Sequence, residues 1–236
     1  MTYVARDCAL DRTVAIKECF PNHMAAPDAD GQAVLVRSKA KESTFHFGLS
    51  RFLEEGRTLA HLCDRSVACV HRVGDANNTA YLVMNLEEGA TLAQNMRAGP
   101  MPELEVLTIL RSLLRGLAVV HDQHVLHRVI KPDNIIIRAN GTPVEIDFDF
   151  DFGAVRALLQ CEAGMTVICT SDYAPIEKYG DGEPQGPWID GYALGATMRH
   201  CLLDEAPSDA MRRNNAIHFL GLANRLVKLS KTQAPS

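Results

Sequence analysis

Two clusters in this chain hold the residue types that accept protons, neutralise charge or hold cations. The first is His127-Arg128-Val129-Ile130-Lys131-Pro132-Asp133-Asn134. It sets an imidazole, a guanidinium, an ammonium, a carboxylate and a carboxamide in one short stretch. Val129 stands among them with no lone pair, so it can neither accept a proton nor orient a hydroxyl. Read blandly, this is a polar loop before a strand. The second cluster is Ile146-Asp147-Phe148-Asp149-Phe150-Asp151-Phe152-Gly153. Strand side chains alternate faces, so in an extended run Asp147, Asp149 and Asp151 share one side and the phenylalanines the other. A calcium loop of the EF-hand kind is a rival reading of such carboxylates. It would need a Gly at its sixth position and a distal Glu, and neither is so placed.

Further segments follow a fixed order around these clusters. Val14-Ala15-Ile16-Lys17 is a short apolar run ending in a cation, and Phe52-Leu53-Glu54-Glu55-Gly56-Arg57-Thr58-Leu59 has helical spacing. Tyr81-Leu82-Val83-Met84-Asn85-Leu86-Glu87-Glu88-Gly89 is a strand leading into a polar turn. Beyond Asp151-Phe152-Gly153 come Ala174-Pro175-Ile176-Glu177 and Trp188-Ile189-Asp190-Gly191-Tyr192-Ala193-Leu194-Gly195. Together these resemble the motif set of the protein kinase family, in order, over roughly residues 1–205. The wording of the segments is most similar to bacterial serine/threonine protein kinases.

The resemblance implies an α+β, two-lobed fold and phosphoryl transfer from ATP, with Mg2+, to protein hydroxyls. Lys17 would pair with the ATP phosphates and with Glu55, Glu54 being the solvated alternative to Glu55. Ala15, Met84, the backbone of Asn85, Leu86 and Glu87, and Ile136 would form the rest of the nucleotide site. Lys131 would face the transferring phosphate and Asn134 would hold magnesium. Asp190 would support the loop. Val129 occupies the position where the family has its proton-accepting Asp, and loss of a general base typically costs about 100- to 10,000-fold in rate. Asp133 is not at the base position.

The metal-binding Asp has two candidates. In the family it lies about thirteen residues after the loop Asn, which from Asn134 reaches Asp147. Counting back from Tyr173-Ala174-Pro175 favours Asp151. A four-residue repeat of Asp-Phe accounts for both, and an even slip keeps the carboxylates on one face.

The family's glycine-rich loop, G-x-G-x-x-G, has no match here. Met1-Thr2-Tyr3-Val4-Ala5-Arg6-Asp7 resembles the strand that follows that loop, so the first strand and the phosphate cover are expected to be missing. At the other end, Met211 to Val227 repeats apolar residues at helical spacing, which predicts one final helix in place of the usual terminal set. The fold is thus expected to be incomplete at both ends. Its kinase domain would cover residues 1–236, divided into a partial N-lobe, 1–86, and a partial C-lobe, 87–236.

The elements that must carry these residues are legible in outline. Thr2–Asp7 and Thr13–Glu18 read as strands, and Gly48–Cys63 as a helix. Ala68–Val73 and Thr79–Asn85 form a hairpin around Asn77-Asn78. Pro102–His124 is the strongest helix, with an apolar stripe of Val106, Leu107, Leu110, Leu113, Leu114, Leu117 and Ala118. Asn134–Arg138 and Val144–Phe148 flank an Asn-Gly turn. Residues 19–47 read as a long insertion, functional or disordered.

Composition narrows the partners. The chain has 236 residues, 47% hydrophobic, and a net charge of −5 without a basic block, which argues against general nucleic-acid binding. Its seven Cys are scattered and suit reduced thiols. No apolar run reaches the about eighteen residues of a membrane span, and no signal-peptide pattern opens the chain. A cytoplasmic protein that meets a protein substrate or protein partner is expected. Three functions compete: a working kinase, a pseudokinase that binds nucleotide or protein, and a decaying gene product. Val129, Asp172 (where relatives usually have Gly) and the repeated Asp-Phe all fit the last.

Overall fold

The computed structural model of the protein describes residues 1–62, 64–149, 172–178, 184–208 and 210. Its first half is built on a four-stranded antiparallel sheet in the order β1-β2-β6-β5, from β1 (Thr2–Asp7), β2 (Arg12–Glu18), β5 (Val70–Ala76) and β6 (Thr79–Asn85). The central strand β6 alternates as a half-buried strand should, with Ala80, Leu82 and Met84 facing the core. Asn77 and Asn78 both adopt positive φ, 54° and 57°. That is the conformation a tight two-residue hairpin requires and Asn tolerates.

The insertion between β2 and the first helix is ordered. It carries a small hairpin, β3 (Ala25–Pro27) with β4 (Val34–Val36). Val34 N–H donates to the Asn77 carbonyl and Asn78 Nδ2 donates to the Val34 carbonyl, at 2.9 and 2.7 Å. The insertion is thereby fastened to the β5–β6 turn. Ala25, Val34 and Phe45 make its own small core, which meets the main core through Leu49.

Helix α1 (Glu42–Ala60) starts six residues earlier than expected, because Phe45 is drawn into the insertion's core. Its buried face runs Phe45, Gly48, Phe52, Glu55, Gly56 and Leu59, a helical period that includes one carboxylate. Leu82 leaves no room for a side chain at Gly56, so helix and strand touch closely.

The second half opens with β7 (Ala90–Thr91), α2 (Leu92–Asn95) and α3 (Glu103–His121). Thr91 and Gln94 form a reciprocal capping box at the start of α2. The buried face of α3 is Val106, Ile109, Leu113, Gly116, Leu117 and Val120. The expected stripe is corrected by this face, for Leu114 and Ala118 are exposed. Gly116 explains the rotation: without a Cβ it admits Ser66 and Val67 of the linker before β5.

Strands β8 (Ile135–Ile137) and β9 (Pro143–Glu145) complete a three-stranded sheet in the order β7-β8-β9. Helix α4 (Pro187–Leu203) begins with Pro187 at its first position and ends at Asp204 in the left-handed region. Leu113 and Leu117 of α3, Ile130, Ile135, and Leu194 and Met198 of α4 share the second core. Each fully buried aliphatic side chain there contributes about 1.5–3 kcal/mol before conformational entropy is counted. No helix among the described residues is long and apolar enough to cross a membrane. The predicted helix over 211–227 lies outside the described residues, as does Asp151-Phe152-Gly153.

Candidate functional site

The loop from His127 to Asn134 is held from below by one buried carboxylate. Asp190 of α4 is fully buried and accepts three hydrogen bonds. They come from the His127 N–H at 2.8 Å, the Arg128 N–H at 2.7 Å and His121 Nε2 at 2.8 Å. Burial by itself would raise its carboxyl. The His121 bond, nearby His127 and the two backbone donors outweigh that and leave it below the ordinary carboxylate value. Arg128 takes φ 68° to present its N–H this way. His127 is also fully buried. Its ring lies 4.2 Å from that of Phe148, and burial lowers its pKa to about 4, so the imidazole is neutral at neutral pH.

Around this anchor the loop keeps its shape. Asn134 is buried, and its Nδ2 donates to the Val129 carbonyl at 2.8 Å. Its side-chain oxygen has no hydrogen-bond partner among the described residues. The Asn134 carbonyl takes the Ile146 N–H at 2.9 Å, which ties the loop to the segment carrying Asp147. Val129 is half-buried and presents only methyl groups. Lys131 is half-buried, with no side-chain hydrogen bond or ion pair among the described residues. Lys178, just after the Ala174-Pro175-Ile176-Glu177 segment, donates Nζ to the Arg128 carbonyl at 2.5 Å.

Across the cleft, β2 brings Lys17 over the same segment. Its ammonium lies 2.6 Å from Asp147 Oδ1 and also donates to the Phe148 carbonyl. The sequence expects Lys17 to pair with Glu55. The structure places Lys17 beside Asp147 and Glu55 beside Arg128, whose Nη1 is 3.3 Å from Glu55 Oε2, and Lys17 and Glu55 each have further partners. Arg51 Nη2 is 3.5 Å from the other Glu55 oxygen. Glu55 rather than Glu54 is the buried carboxylate, and Glu54 pairs only with Arg51 on the surface among the described residues.

The strand expected over Val144–Phe148 is shorter in the structure, and the Asp-Phe run beyond Asp149 lies outside the described residues. Strand β9 stops at Glu145, and Asp147 sits at φ 64°, in the left-handed region. Phe148 turns into the core against His127, while Asp149 N–H donates to the His127 carbonyl at 3.1 Å. Asp151 is outside the described residues, so the structure positions one of the two candidate aspartates.

The other expected site residues lie on β2, on β6 and the connection after it, and on β8. Ala15 and Met84 are direct partners in the β2–β6 ladder, and both are buried. Ile136 of β8 is buried below. Asn85 N–H is committed to the Cys69 carbonyl, and its side chain to His71. Leu86 is partly exposed, and Glu87 is turned onto Arg138.

The donor set suits magnesium and a polyphosphate. Magnesium typically takes one or two carboxylates together with phosphate oxygens and water; Asp147 and the Asn134 side-chain oxygen are hard ligands of that kind. Lys17 adds the cation a phosphate needs. Among the described residues no group of three or more His, Cys, Asp or Glu forms a closed metal cage.

Sequence reasoning passed over His121, Lys178 and Arg138. Each acts through a contact distant in sequence, and no local spacing marks them. His121 alone had a signal, as a basic residue at the end of a helix.

A family model described as "Protein kinase domain" matches residues 24–234. Among curated relatives, the serine/threonine-protein kinase PknL of Mycobacterium tuberculosis is 33% identical over 208 residues, covering 87% of this chain and 46% of that protein. The serine/threonine-protein kinase PrkC of Bacillus subtilis is 29% identical over 210 residues, covering 88% and 29%. The chain thus spans less than half the length of these relatives. Among solved structures, "PpkA-294 apo form" superposes with a TM-score of 0.72 at 32% identity, covering 90% of this chain and 74% of that one. The PknI kinase domain of M. tuberculosis gives 0.63 at 20% identity, covering 89% and 69%, a likeness of fold alone.

Proposed function

The chain belongs to the protein kinase family, among relatives of the bacterial serine/threonine kinases, and from that premise we propose that its cleft binds ATP with magnesium while phosphoryl transfer to protein hydroxyls is impaired. Lys17 would hold the phosphates, Asp147 and Asn134 the metal, and Ala15, Met84, Ile136 and the Asn85–Glu87 backbone the base. Lys131 would meet the transferring group. The bound metal would neutralise charge on the phosphates. Residues 1–86 and 87–236 would be the two parts of one domain, facing a protein substrate or partner in the cytoplasm.

The observation that carries this reading is Val129 in a loop whose supports are intact. Asp190 grips the backbone on one side of it, and Asn134 bonds its carbonyl. An aliphatic group therefore stands in a frame built to aim a side chain at a substrate. Restoring the carboxylate tests it. Val129→Asp should transfer labelled γ-phosphate to casein about 100-fold or more faster than the natural chain. Equal rates would contradict the proposed cause of impairment.

A second reading, a pseudokinase that binds nucleotide or a protein partner, is favoured by the Lys17–Asp147 contact together with Val129 at the expected base position. Thermal unfolding with and without Mg-ATP addresses it, since a ligand of the folded state raises the midpoint. No shift at millimolar Mg-ATP would count against nucleotide binding in both readings.

A further inference from the structure

We propose that Arg138 is a positioning residue for the purine-binding backbone, acting through Glu87. The inference rests on the nucleotide reading of the cleft and adds a part that reading does not contain.

Arg138 directly follows β8 and is anchored by its own turn. Its N–H donates to the Thr142 carbonyl, and its carbonyl accepts from Gly141 N–H. From there the guanidinium reaches two other segments. Nε and Nη2 both lie 2.7 Å from Glu87 Oε2, and Nη1 donates to the Arg65 carbonyl at 2.9 Å. One planar group thus joins the β6–β7 connection, the linker before β5 and the β8–β9 turn. A lysine could make only part of this fork.

Glu87 depends on it. Its side chain is 6% exposed, and its other oxygen, Oε1, has no hydrogen-bond partner among the described residues. A buried carboxylate without a cation is strongly disfavoured. Arg138 is what allows Glu87 to turn inward, and that choice sets the direction of the Leu86–Glu87 backbone. Neither Leu86 nor Glu87 takes part in a backbone–backbone hydrogen bond among the described residues. Their peptide groups are the ones left for a ligand. Gly89 closes the same connection against β8: a Cβ there would collide with the Ile137 carbonyl oxygen.

The consequence is selective. Losing Arg138 should disturb recognition of the base and leave the phosphate end, at Lys17 and Asp147, as it was. The full chain and its Arg138→Met, Arg138→Lys and Glu87→Gln variants would be titrated with adenosine and, separately, with magnesium tripolyphosphate, by ligand-observed NMR. Arg138→Met should bind adenosine about tenfold more weakly and tripolyphosphate within about twofold of the natural chain. Arg138→Lys and Glu87→Gln should show smaller losses of the same pattern, and they carry the test if Arg138→Met does not fold. Unchanged adenosine affinity in the folded variants would overturn the proposal. So would an equal loss for both ligands, the mark of a general loosening. A natural chain that binds neither ligand would defeat the nucleotide reading itself, and that result is visible before any variant is compared.

Discussion

Lys17 Nζ and Asp147 Oδ1 stand 2.6 Å apart, from residues 130 positions apart in sequence. The pair closes the cleft between β2 and the segment after β9. Of the two candidate metal aspartates, Asp147 lies among the described residues, beside Lys17. Asp147→Asn should remove most of the gain in ADP affinity that magnesium confers, a loss of about tenfold or more. Asp151→Asn should keep that gain. Calorimetry with and without magnesium reads the difference, and the reverse order of effects would move the metal site to Asp151.

Asp190→Ala should destabilise the chain by about 3 kcal/mol or more. It strands the His127 and Arg128 N–H groups and His121 Nε2, each worth about 1–3 kcal/mol when left unsatisfied. The folded carboxyl lies below its ordinary value, so its contribution is complete above about pH 4. It is lost as pH falls through the lowered folded value. Urea unfolding at pH 7 and at pH 3 should show a smaller difference between natural and variant chains at the lower pH.

His127 and Glu145 oppose each other in pH dependence. His127 has a lowered pKa of about 4, so the unfolded chain binds the extra proton between pH 4 and 6.5. Stability from this group therefore rises with pH across that window, by up to about 3 kcal/mol. Glu145 is fully buried, and neither carboxyl oxygen has a hydrogen-bond partner among the described residues. Burial, then the charges of Asp190 and Asp64, raise its pKa well above the ordinary value. The folded chain then holds the extra proton, and stability falls as pH rises above about 4.5. The two slopes oppose each other where their windows overlap, above about pH 4.5. Glu145→Gln should remove the decline that this group contributes as pH rises above about 4.5. A variant whose decline matches that of the natural chain would refute this assignment.

Gly89→Ala should cost about 2 kcal/mol or more. Gly89 has φ 154°, which side chains rarely adopt, and the new Cβ would collide with the Ile137 backbone oxygen. Gly74→Ala is the control, for nothing lies within 4 Å of its Cβ position. Chemical denaturation of the two variants side by side should separate them clearly.

Where local rules decide the outcome, the sequence could be read directly. Thr79–Asn85 has the alternation of a half-buried strand, and Asn77-Asn78 names its own turn. The order of the motifs was enough for the family and the α+β fold. Reading failed where a distant contact decides. Leu114 has helical spacing within the α3 stripe, yet Gly116 and the linker beside it rotate the buried face away. Asp147 lies in an alternating run, yet β9 ends before it and its backbone turns left-handed. Glu55 was recognisable as a buried helical carboxylate, but its Arg128 partner could be found only in three dimensions.

Asp190 holds the catalytic-type loop by the main-chain N–H groups of His127 and Arg128, and so has no stake in which side chain follows them. Position 129 can be exchanged without dismantling the scaffold that surrounds it. A single base change converts some valine codons to aspartate codons. A lineage carrying this chain would therefore keep the route back to an acid open for as long as the grip of Asp190 persists.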